Sequence, residues 1–113
     1  MPTYKRCLLA ALLLLACGAA NAHPFHNLEP ITESTAPRLA NQVVAYLVDI
    51  QKLPGSWMYR EFKSVSTRNT PGGLVWVVVF QNPNETDATR TTLFIFLDEL
   101  GNPINANFSG EMK

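Results

Sequence analysis

Apolar residues change their spacing once along this chain, near Trp57, and the change separates a helical part from a β part. Leu39, Val43, Tyr46, Leu47, Ile50 and Leu53 fall at steps of three or four with one adjacent pair, the stripe of an amphipathic helix. Ser34 or Thr35 is the expected N-cap, which puts Pro37 in the first turn, where its missing N–H costs little. Leu53-Pro54-Gly55 stops the helix, so the pattern predicts helix over about residues 35–52, roughly five turns.

Beyond Trp57 the chain reads as strands separated by turn chemistry. Arg60 to Thr67 is a polar strand whose apolar residues Phe62 and Val65 are an odd number apart, so they need a bulge or a bend to share a face. Thr70-Pro71-Gly72-Gly73 turns the chain into Leu74 to Gln81, β-branched and aromatic throughout and suited to a central position. A polar loop, Asn82 to Arg90, leads to a second strong strand, Thr91 to Asp98. Asp98 to Pro103 makes the next turn, and Ile104 to Ser109 alternates as a half-exposed last strand.

One helix and four sequential strands predict an α+β fold: a single amphipathic helix packed on a four-stranded antiparallel β-meander. No strand–helix–strand repeat exists to build a parallel sheet. Alternation sends Trp76, Val78 and Phe80 toward the helix. The other face then carries Val75, Val77 and Val79, which are also apolar. One helix covers one face, so the second is expected to meet the amino-terminal arm, a second copy or a protein partner, and these valines are the candidate interaction face.

The first 22 residues stand apart. Lys5 and Arg6 precede the apolar run Leu8 to Ala16, and Ala20-Asn21-Ala22 is a small-x-small cleavage site, the order of a secretory signal. The run is well short of the roughly 20 residues that span a bilayer. Leu14-Leu15-Ala16-Cys17-Gly18 also resembles a bacterial lipobox. Leu15 is a less usual residue at its place there, and a complete cleavage site follows, so release after Ala22 into the periplasm or medium is the preferred reading. Lipidation of Cys17, anchoring the chain to a bacterial membrane, is the alternative. The organisation expected is a signal peptide over 1–22, an extended arm over 23–33 and one domain over 34–113.

Composition then narrows the function. The chain holds nine basic and nine acidic residues, and setting Lys5 and Arg6 aside with the leader leaves a net charge of −2 and no basic cluster. Nucleic acid is not an expected partner, nor is a membrane unless Cys17 is lipidated. Both cysteines, Cys7 and Cys17, lie in the leader, so an exported body must hold together by its core without disulfides. Without a cysteine, a Gly-x-Ser-x-Gly elbow or a phosphate-cradling loop, the body reads as non-enzymatic. Adjacent Asp98 and Glu99 read as a turn residue accepting backbone N–H bonds beside a solvated neighbour in preference to a calcium pair.

His23-Pro24-Phe25-His26 is the constellation with chemistry to offer. Cleavage after Ala22 makes His23 the first residue, and its α-amine and imidazole form a chelate suited to Cu(II) or Zn(II), with His26 as a third nitrogen donor. Pro24 has no amide proton, so that position cannot add a deprotonated backbone nitrogen.

At Lys52-Leu53-Pro54-Gly55-Ser56-Trp57, Trp76 to Asn82, Thr92 to Leu97, Gly101 and Ala106 to Gly110, the chain resembles a family of small exported bacterial proteins of unknown function. That resemblance implies a signal peptide, a histidine-rich arm, one helix and a strand meander, with no activity established. Where those relatives carry many histidines, this chain has His23 and His26 alone. Phe96-Leu97-Asp98 with Gly101 and Ile104 is similar, over one hairpin, to the end of the PepSY domain, a helix-plus-meander module of exported proteins linked to peptidase inhibition. The architecture expected is therefore PepSY-like or cystatin-like, and the role expected is a binding or interaction module.

Overall fold

The computed structural model describes residues 29–112. Helix α1 (Ala36–Asp49) is followed by strands β1 (Glu61–Thr70), β2 (Gly73–Gln81), β3 (Thr92–Leu97) and β4 (Pro103–Asn107), with short 3-10 turns at Gly55–Tyr59 and Ala88–Arg90. The strands form one antiparallel sheet in the order β1-β2-β3-β4. Each strand thus pairs with its neighbour in sequence, as short connections dictate, and α1 lies across one face in the expected α+β arrangement.

Thr35 occupies the N-cap position of α1, yet its side chain caps no helix N–H. Its Oγ1 turns back instead, accepting from the Thr32 N–H at 2.8 Å and donating to the Thr32 carbonyl at 3.1 Å. The far end stops at Asp49, short of residue 52, because Gln51 takes φ +64°. Lys52 N–H then bonds to the Leu47 carbonyl at 2.8 Å and Gln51 N–H to the Val48 carbonyl at 3.0 Å. This pair of bonds is a Schellman motif, which satisfies the last carbonyls and turns the chain before Pro54 is reached.

The buried seam of α1 is rotated from the expected stripe. Ala36, Leu39, Ala40, Val43 and Val44 are buried, whereas Tyr46 and Ile50 are 56% and 43% exposed. Short side chains at 36 and 40 let the helix axis approach the sheet, so the seam runs through them and the larger residues are left on its flanks.

Beneath α1 the register pairs Trp76 with Leu97, Val78 with Ile95 and Phe80 with Leu93. These residues, Val65 of β1 and Ala106 of β4 share the core with the helix seam, Leu53 and Trp57. Trp57 does not begin a strand; the 3-10 turn carries it into the core, where it is fully buried and its Nε1 has no hydrogen-bond partner. The register of β1 shifts between Phe62 and Ser64, which inserts Lys63 as a bulge. Phe62 opposite Phe80 and Val65 opposite Val78 then share the helix-facing side, as the odd spacing requires. The loop after β2 is clasped by Asn82, 2% exposed, whose Nδ2 donates to Ser56 Oγ at 2.9 Å and whose Oδ1 accepts from the Asn84 N–H at 2.9 Å.

The second face is covered in part by the chain itself. Val75 and Val77 are only 4% and 1% exposed, and with the buried Phe96 they form a second apolar cluster, against which Val79, Phe94 and Met112 pack. Val75 and Val77 are therefore not open surface, and Val79 is half-buried. Among the described residues the chain's own carboxyl-terminal segment reaches this face. β4 ends at Asn107, before Ser109, because the Asn107 side chain takes over the turn. Its Oδ1 accepts from the Gly110 N–H at 2.7 Å and the Ser109 N–H at 3.2 Å, and its Nδ2 donates to the Glu111 carbonyl at 2.8 Å. Arg68, on the opposite edge strand, donates from Nη1 to the Gly110 carbonyl at 2.9 Å and lays its guanidinium 5.5 Å from the centre of the Phe96 ring.

Candidate functional site

A groove opens where α1 ends and β4 begins to run out. The Schellman turn takes the chain off the helix at Ile50 and dips Leu53 into the core, leaving Leu47 and Ile50 as one wall. Leu93 of β3 and Ala106 of β4 supply the opposite side, and the small side chain of Ala106 leaves room beside it. Phe108 also lines the groove. Its ring centre lies 6.0 Å from that of Trp57, tilted by 46°, and the Arg90 guanidinium sits 5.3 Å from it. The groove encloses about 500 Å³, with Lys52 and Asn107 as the polar residues of its lining. Asn107 is already committed to the turn that follows β4.

Two other concavities differ in character. On the opposite flank of α1, Tyr46, Asp49, Gln51 and Met58 border a space of about 470 Å³. At the β1–β2 end, Glu61, Gln81, Asn82 and Glu85 border a smaller, polar one of about 300 Å³.

The residues singled out from the sequence scatter across the molecule. His23, His26 and Cys17 lie outside the described residues. Val75, Val77 and Val79 sit on the face opposite the groove, in the second cluster. Asp98 acts in the β3–β4 turn: its Oδ1 accepts from the N–H groups of Leu100 (3.0 Å) and Asn102 (2.9 Å), and its Oδ2 from Asn102 Nδ2 (3.1 Å). The neighbouring Glu99 is exposed and accepts the Ile31 N–H on its backbone carbonyl at 2.8 Å, which pins the start of the described chain to this turn.

Arg60 is likewise committed. Its Nε donates to Asn41 Oδ1 at 2.7 Å, Nη2 to the Asn41 carbonyl at 3.2 Å and Nη1 to the Trp57 carbonyl at 2.9 Å. Partial burial lowers its pKa, and the planar fork holds the 3-10 turn to the helix. Asp87 caps the second 3-10 turn, and hydrogen bonds from the Thr89 side chain and backbone hold its carboxyl below the usual carboxylate range.

The groove itself was missed in the sequence. Leu47, Ile50 and Leu53 read there as helix core, and the one signal available was that this stripe runs on to the Lys52-Leu53-Pro54-Gly55 stop, beyond the residues a short last strand covers.

Among the described residues no group of three or more His, Cys, Asp or Glu side chains is placed to hold a metal ion, and no helix is long and apolar enough to cross a membrane. No curated protein and no solved structure matches the chain. A family model does match, over residues 1–111, and the chain belongs to that family of unknown function (DUF6488).

Proposed function

We propose that this protein is an exported, non-enzymatic binding module whose ligand sits in the groove between α1 and β4. Export rests on the order of the leader, a positive start, an apolar run and a small-x-small site, and the likeness to exported and PepSY proteins belongs to the same proposal. One observation carries the binding role: a concavity of about 500 Å³ walled by Leu47, Ile50, Leu53, Leu93, Ala106 and Phe108. That volume falls in the range of small-molecule sites, and predominantly apolar walls with few polar groups are their usual lining. Arg60 and Asp98, the charged groups best placed to suggest an enzyme, are both spent on holding the backbone.

Two measurements test the proposal. Intact mass of the exported protein should show a chain beginning at His23; an uncleaved leader overturns export, and an acylated Cys17 replaces the free form by a tethered one. The neutral apolar probe N-phenyl-1-naphthylamine should brighten on binding the mature chain. Ile50→Asp, at a wall position 43% exposed, should weaken that binding about tenfold or more, the loss expected for one aliphatic contact, with a circular-dichroism melt confirming that the variant is folded. Absence of binding, or equal binding by the variant, refutes the groove as the site.

A further inference from the structure

We infer that the groove takes an aliphatic chain ending in a carboxylate, with the Lys52 ammonium as the partner of its anionic end. This inference rests on the groove being the binding site. The polar inventory of the lining decides the ligand class. Asn107 spends both ends of its side-chain amide on the turn after β4, accepting from the Ser109 and Gly110 N–H groups and donating to the Glu111 carbonyl. That leaves Lys52, whose ammonium has no partner among the described residues, as the one uncommitted polar side chain of the lining.

An extended peptide laid in the groove would have to pair its N–H and C=O groups with the backbone of β4, the edge strand of the sheet. An aliphatic chain brings none, and a single anionic end matches a single cation. Arg90 stands over the Phe108 ring, 5.3 Å from its centre, and no acidic side chain lines the groove. An apolar trough with Lys52 in its lining complements an anionic amphiphile and opposes none of its parts.

Displacement of N-phenyl-1-naphthylamine from the mature chain by dodecanoate and by dodecanol, at neutral pH and low salt, tests the inference. Wild type should prefer the carboxylate by about fivefold, the size of a solvent-accessible ion pair, and the preference should shrink as salt is raised. Lys52→Gln should abolish it by weakening dodecanoate alone, and Lys52→Glu should reverse it, while dodecanol binds all three alike. Arg90→Gln should give a smaller loss in the same direction.

Equal affinity for acid and alcohol in wild type overturns the inference while leaving the groove as an apolar site. A preference that survives Lys52→Gln overturns the assignment to Lys52. If the probe binds and neither aliphatic compound displaces it, the aliphatic ligand class is wrong. If the probe itself does not bind, the underlying reading of the groove fails first.

Discussion

Substituting Gly110 by alanine tests how the carboxyl-terminal segment is held across the second sheet face. Gly110 has φ +80°, and a Cβ built on it would lie 3.0 Å from Phe94 Cε2, 3.1 Å from Cζ and 3.3 Å from Cδ2. Two penalties combine. A left-handed backbone costs a residue with a Cβ about 1–2 kcal/mol, and forcing a methyl against a packed ring costs about 1–3 kcal/mol more. Against them stands the smaller unfolded-state entropy of alanine, about 0.4–1 kcal/mol in its favour. The net loss is about 2–3 kcal/mol, which in a domain of this size lowers Tm by roughly 10–20 °C.

Urea titration of the mature chain, followed by tryptophan emission, measures the loss, and an unchanged slope would show that two-state unfolding is preserved. Phe94→Leu as a background separates the two penalties. With the ring gone, Gly110→Ala should retain only the backbone part, and the coupling between the two substitutions should account for the remainder. A loss below about 0.5 kcal/mol in the wild-type background would refute the reasoning, because the segment would then not be held against Phe94 in this conformation.

Gln51 offers the reciprocal test at the end of α1. It holds φ +64° at the Schellman position with a side chain that disfavours it, so Gln51→Gly should raise stability by about 0.5–1 kcal/mol after the entropy glycine adds to the unfolded chain is subtracted; a loss in the same urea titration counts against the motif. A separate proposal, resting on His23-Pro24-Phe25-His26 behind the cleavage site, is chelation of Cu(II) or Zn(II) by the His23 α-amine and imidazole with His26 assisting. Calorimetric titration of Cu(II) should find about one site on a chain beginning at His23, weakening as pH falls through the imidazole range. Binding should drop sharply when one added residue turns the amine into an amide, and equal binding by both forms would overturn the chelate.

What the sequence determined by itself was everything that depends on local period and parity. The single switch of spacing near Trp57 separated one helix from a meander. The odd interval between Phe62 and Val65 demanded the irregularity that the register shows at Lys63. Alternation through Trp76, Val78 and Phe80 put these three on one side of β2, the side that meets the helix. Asp98 was readable as a turn residue because a short acceptor side chain ahead of Gly and Pro stabilises a turn through nearby N–H groups, and it does so here.

Tertiary structure decided what lies on top of what. The stripe Leu39 to Leu53 could not reveal that Ala36 and Ala40 would bring the helix in close and push Tyr46 and Ile50 to its flanks, since close approach depends on the facing sheet as much as on the helix. Nor could alternation show that Val75, Val77 and Phe96 would be joined by Met112 and arched over by Arg68. The groove has the same origin, as a space left between Ile50 and the distant pair Ala106 and Phe108. Period reports which residues of one element share a side. The volume left between elements depends on side chains contributed from distant parts of the chain, and only their packing in three dimensions sets it.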